Sequence, residues 1–219
     1  MSRTANFDAI AVPYRTLEYL TLGKKLERTR LHFLDRVRTA HRALVLGDGD
    51  GRFLAQLFAA NPKLQVTAID SSARMLDLLQ QRCALFADRL QTVQVDALGY
   101  IPSPSATYDL LVSHFFLDCF TERQLNELIG HIAPALEANA QWLLSDFRIP
   151  SGRMRLPAQV LVRSLYLAFH ILTGLRTTSL PHHASCLSAA GFARVDRKLY
   201  LGGILSAELW RLQNPYDGP

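Results

Sequence analysis

The stretch Leu46-Gly47-Asp48-Gly49-Asp50-Gly51-Arg52-Phe53 combines residue types and a spacing that suit ligand chemistry. Alternating glycines let a backbone approach a ligand where side chains would collide. The spacing is not the dinucleotide fingerprint GxGxxG. Counted from Gly47 the last position falls on Arg52, and counted from Gly49 it falls on Leu54. A phosphate loop ending in Gly-Lys-Ser/Thr is absent too. Asp48 and Asp50 would repel a pyrophosphate but tolerate a ligand carrying ammonium and sulfonium charge. Asp70, nineteen residues past Gly51, suits both hydroxyls of a ribose. Its competing role is that of an acid at a helix start beside Ser71-Ser72. Asp96 can accept from an adenine amino group, or be an ordinary loop acid.

Proton chemistry points further along the chain. His114 can act as a base near neutral pH, or line a pocket without exchanging protons. Asp118 can be a base or an orienting group, or cap a helix starting near Thr121. His182, His183 and Cys186 look like metal ligands only superficially. A turn and helix start accounts for them, and no metal site is expected.

These residues need a scaffold that brings them together. Ala43-Leu44-Val45-Leu46 is a short apolar run, as expected of a strand buried on both faces of a parallel sheet. Similar runs end at Asp70, Asp96, Ser113 and Ser145-Asp146, with helical stretches at roughly 51–60, 72–88 and 121–137 between them. Ser71 and Thr121 are suited to cap the second and third. Strands alternating with helices predict an α/β, doubly wound, mostly parallel sheet with helices on both faces. Ligands of such sheets lie beyond the carboxyl ends of the strands, where Gly47, Asp70, Asp96, Ser113 and Asp146 all stand. Residues 14–37 read as one or two amphipathic helices with a break near Gly23. A helix over 157–173 and another over His183–Ala190 precede two strands, Phe192–Tyr200 and Ile204–Leu212, joined at Gly202-Gly203 as a hairpin.

The glycine loop, Ile69-Asp70, Val95-Asp96-Ala97 and Tyr108-Asp109-Leu110-Leu111-Val112-Ser113-His114 together resemble the successive motifs of class I S-adenosylmethionine-dependent methyltransferases. Trp142-Leu143-Leu144-Ser145-Asp146-Phe147 resembles the branch that includes ubiquinone and menaquinone methyltransferases. The resemblance implies a Rossmann-like seven-stranded sheet ending in an antiparallel hairpin. It implies a methyltransferase domain over 42–219, an N-terminal helical flap over 1–41 and a helical cap insertion over 148–181. It further implies methyl transfer from S-adenosylmethionine, leaving S-adenosylhomocysteine, by in-line displacement onto a small aromatic or lipophilic acceptor. The cofactor would be held by Gly47, Asp48, Gly49, Gly51, Asp70, Ser71, Met75, Asp96, Ala97, Ser113, His114 and Phe115. His114, Asp118 and the flap residue Tyr14 would serve catalysis. The family often carries an acid two residues before the first glycine; here it is Val45, so Asp48 or Asp50 would take over the ammonium contact.

Charge bears on partners. Residues 1–42 hold nine Lys/Arg against four Asp/Glu, residues 43–146 six against twelve, and residues 147–195 six Arg with no carboxylate. Basic segments flanking an acidic middle suit an anionic substrate, nucleic acid or an anionic membrane surface, or simply a solvated face. Methylation of nucleic acid or protein is the alternative within the class, but Ser113-His114-Phe115-Phe116 is not the Asn/Asp-Pro-Pro-aromatic motif of base methylation. A catalytically inactive cofactor-binding subunit is another alternative. The chain is read as a monomer or homodimer. Cys83, Cys119 and Cys186 form no CxxC pair and read as free thiols, which with the lack of a leader-like start predicts a cytoplasmic protein. On the 157–173 helix, Gln159, Arg163, Tyr166, His170 and Thr173 form a narrow polar stripe. The simpler placement turns it to solvent; the other turns it to substrate and leaves apolar surface outside.

Overall fold

The computed structural model describes residues 23–173 and 180–213, with side chains of the helix Arg155–Thr173 described as far as Tyr166. Seven strands build it: β1 Arg42–Leu46, β2 Gln65–Asp70, β3 Leu90–Gln94, β4 Tyr108–His114, β5 Leu136–Phe147, β6 Phe192–Tyr200 and β7 Leu205–Leu212. The helices are α1 Gly23–Leu31, α2 Arg52–Ala60, α3 Ala73–Arg82, α4 Glu122–Ile132, α5 Arg155–Thr173 and α6 His183–Ala189. The strands form one sheet in the order β3-β2-β1-β4-β5-β7-β6. β1 to β5 run parallel, and β7 is antiparallel to both β5 and β6. This is the expected doubly wound sheet with its terminal hairpin.

Strand alternation divides the core in two. Ala43 and Val45 of β1 face one side, where they meet Phe33, Val37, Phe53, Leu57 and Leu79. Leu44 and Leu46 face the other, with Leu125, Leu128, Trp142, Leu187 and Trp210. A strand buried on both faces must be apolar at every position, which is why β1 shows no polar alternation. Phe33, Leu34 and Val37, which follow α1, belong to the first of these cores. Tyr14 and the rest of residues 1–22 lie outside the described residues.

Some boundaries differ from expectation. The cap of α3 is Ser72, whose Oγ accepts from Met75 N at 3.1 Å, and not Ser71, which is exposed. Asp70 Oδ1 accepts from Ser72 N at 2.9 Å, shifting the helix start one residue onward. Thr121 caps α4 as expected, in a reciprocal capping box with Gln124. β5 is twelve residues long and begins at Leu136, beside Tyr108 of β4, where the preceding helix was expected to run to 137. The three cysteines form no disulfide with one another, and Cys83 and Cys186 are buried. Among the described residues no helix is long and apolar enough to cross a membrane.

Candidate active site

Parallel register brings the strand ends to one edge. Leu46 lies beside Ile69 and Ser113, Asp70 beside Gln94, and His114 beside Ser145. The glycine loop, Asp70, Asp96 and His114 therefore stand together beyond β1 to β4. Gly47 N donates to Ile69 O at 3.0 Å, anchoring the loop to β2.

The three glycines do different jobs. At Gly49, φ is +64° and nothing lies within 4 Å of where a side chain would begin. Gly51, with φ +77°, would place that carbon 3.0 Å from the Leu79 backbone, so it allows α3 to pack against the loop. At Gly47 the ring of Phe116 occupies the space a side chain would take. The reading from sequence did not single out Phe116, and the neighbouring aromatic in Ser113-His114-Phe115-Phe116 is its only local signal.

The loop carboxylates diverge. Asp50 is clamped by Arg52 Nε and an Arg82 guanidinium nitrogen, each at 2.9 Å. Asp48 turns inward, where its Oδ2 accepts from Leu54 N at 3.1 Å in the first turn of α2. Burial raises its carboxyl to about 7, against the lowering effects of that N–H and of Arg30. Arg30, from α1, also stands over the Phe115 ring at 5.1 Å.

His114 is 4% exposed, meets Phe53 edge-on at 4.4 Å, and finds no hydrogen-bond partner for either ring nitrogen among the described residues. Burial first, and Arg30 second, push its proton affinity well below the ordinary histidine range, so the ring is neutral. Phe115 takes φ +53°, a conformation rare for a bulky residue, and its ring meets Phe147 at 5.1 Å. Ser113 is buried, and its hydroxyl accepts from Trp142 Nε1 at 2.9 Å.

Asp70 is half-buried at the end of β2. Asp96 accepts from Leu98 N at 3.1 Å, tightening a short turn that holds Ala97 in the core. Met75 is buried in the first turn of α3. Asp118 does not cap α4, because Thr121 does. Its carboxyl is buried near Asp146, and burial raises it to about 6. Asp146 is raised further, by burial and then by Asp118. Sequence reasoning named Asp146 only as a strand-end residue; its pairing with Asp118 needs two strands side by side.

The family of methyltransferase domains matches this chain over residues 43–139, from β1 into β5. The matched segment carries the glycine loop, Asp70, Asp96, His114 and Asp118. Polyamine aminopropyltransferase 2 of Bacillus anthracis is 29% identical over 90 residues, covering 37% of this chain and 25% of that protein. Solved structures share the fold. The mitomycin 7-O-methyltransferase MmcR superposes with a TM-score of 0.68 at 18% identity, covering 94% of this chain and 60% of that one. An O-methyltransferase family protein from Burkholderia thailandensis gives 0.66 at 17%, covering 98% and 66%. The N-methyltransferase NodS from Bradyrhizobium japonicum WM9 gives 0.59 at 16%, covering 86% and 97%. The chain thus spans a quarter of the curated relative and under two thirds of the first solved structure.

Proposed function

We propose that this chain transfers a methyl group from S-adenosylmethionine to a small acceptor. One observation carries the reading: an open, positive-φ glycine at position 49 shares a strand edge with Asp70 and with a buried carboxyl, Asp48, held up at about 7. A carboxyl that burial makes reluctant to ionise is stabilised by a cation, and a sulfonium and an ammonium supply that charge. The residues present therefore fit the cofactor.

In this reading Gly47, Gly49 and Gly51 offer backbone, Asp48 meets the ammonium and Arg30 the carboxylate of the methionine end. Asp70, beside Ser71 and Met75, receives the ribose hydroxyls. Asp96 and Ala97 border the adenine. The Ser113 backbone, His114 and Phe115 close the remaining side. When bound, S-adenosylmethionine supplies an electrophilic methyl group. The protein's task is then to orient the acceptor and exclude water, which can supply about 7–11 kcal/mol at best. Asp118 is the proposed proton acceptor for a hydroxyl or amine, since a carboxyl near 6 is ionised at neutral pH yet still basic. The likeness to a mitomycin 7-O-methyltransferase and to the N-methyltransferase NodS supports a small-molecule acceptor.

S-adenosylhomocysteine at 100-fold excess over its Kd should stabilise the protein by about 2.7 kcal/mol in thermal unfolding, while NAD should not. Asp70→Ala should bind S-adenosylhomocysteine at least tenfold more weakly and keep its fold. No stabilisation by S-adenosylhomocysteine would overturn the reading.

A further inference from the structure

A pocket of about 470 Å³ lies between α5, the segment leaving β5, the start of α6 and the β6–β7 hairpin. Its size suits a small organic ligand. Four guanidinium groups line it: Arg148 after β5, Arg163 on α5, and Arg194 and Arg197 on β6. Among the described residues the lining has one carboxylate, Glu208 of β7. Glu208 is buried and already engaged, accepting from Trp210 Nε1 at 2.9 Å, with His183 at 3.7 Å and Arg194 at 3.8 Å.

The hairpin is built to bring two of these arginines in together. Residues 194 and 197 are three apart, so in a regular strand they would face opposite ways. The register shifts between Arg194 and Asp196, so that Arg194 lies opposite Trp210 and Arg197 opposite Glu208. Trp210 and Glu208 are two apart and share a face, and the bulge puts both arginines on that face. Arg148 feels the crowding: burial first, and then Arg197, lower its proton affinity. The described members of the α5 polar stripe also turn inward, while His170 and Thr173 lie outside the described side chains. Gln159, Arg163 and Tyr166 line the pocket, while Leu156 and Val160 are left 72% and 65% exposed.

Resting on the methyl-transfer reading, we propose that this pocket holds the acceptor by an anionic group, a carboxylate or phosphate gripped by Arg148, Arg194 and Arg197. Guanidinium forks match both groups in bidentate geometry. Phe147, Val162, Leu180 and Pro181 give apolar wall for the acceptor's body. Two lining residues tie the pocket to the strand edge. Tyr166 donates its hydroxyl to Asp118 O at 2.9 Å, and the Phe147 ring meets that of Phe115 at 5.1 Å. An acceptor anchored here by its anion would extend toward Asp118.

The test is calorimetry on the full chain with phenyl phosphate, benzoate and neutral benzyl alcohol, each beside S-adenosylhomocysteine. At least one anion should bind, and benzyl alcohol at least tenfold more weakly. Arg194→Gln/Arg197→Gln should weaken the anion at least tenfold and leave S-adenosylhomocysteine affinity within twofold. Because Arg194 also stacks on Trp210, the pair Arg163→Gln/Arg197→Gln, both exposed, repeats the test without that contact. Phenyl phosphate preferred over benzoate assigns a phosphate, and the reverse a carboxylate. Equal binding of benzyl alcohol, or anion binding untouched in both variants, overturns the pocket assignment. Failure of S-adenosylhomocysteine alone to bind overturns the methyl-transfer reading instead.

Discussion

Asp48 carries a stability cost that its pH dependence should reveal. Its carboxyl titrates near 3.8 when unfolded and near 7 when folded. Between those values the folded chain holds a proton that the unfolded chain has released. Stability therefore falls as pH rises through this window, and is level above it. At about 1.4 kcal/mol per pH unit, Asp48 alone accounts for at most about 4 kcal/mol. Asp48→Asn keeps an oxygen for Leu54 N and removes the titration. Urea unfolding at pH 4.5 and pH 8 should show it more stable than wild type at pH 8 and closer to it at pH 4.5. An equal loss in both proteins would remove the assignment. A residual fall is expected in the variant, since Asp118 and Asp146 are shifted in the same direction.

The loop and its two flanking helices show how position separates a folding glycine from a binding glycine. Alanine at 49 or at 51 incurs the left-handed strain of about 1–2 kcal/mol. At Gly51 the new carbon also meets the Leu79 backbone, an overpacking of about 1–3 kcal/mol more. Urea denaturation should thus find Gly51→Ala clearly less stable than Gly49→Ala. An S-adenosylhomocysteine titration should find Gly49→Ala impaired although it stays folded. Similar unfolding midpoints would mean that α3 yields to the added methyl. The elements were legible wherever their cause is local. The unbroken apolar run of β1, the Thr121 box and the Gly202-Gly203 junction are examples. The near end of β5, residues 136–140, was not, because Leu136 is set there by Tyr108 of β4, some thirty residues earlier in the chain.

The whole molecule separates its two sheet edges by role. At the edge away from the site, Asp109 accepts from His41 N at 2.7 Å and Arg42 N at 2.8 Å, fixing the entry to β1 against β4. Asp109→Ala should lower unfolding free energy by about 1–2 kcal/mol, through two orphaned N–H groups, and leave S-adenosylhomocysteine affinity unchanged. A parallel loss of affinity would mean that the edges are coupled. The sequence by itself determined the sheet, its order of motifs and the strand-end placing of the glycine loop, Asp70 and Asp96. Those rest on short-range periodicity and on where apolar runs stop. Only the tertiary structure decided which charges are spent. Asp50 is consumed by Arg82, thirty-two residues away. Arg194 and Arg197 share a face only through a register shift. Gln159, Arg163 and Tyr166 of α5 face inward because Val162 and Tyr166 dock on Cys119, Phe147 and Leu180. Charge pairing and helix orientation depend on which distant surfaces meet, and no local pattern encodes that.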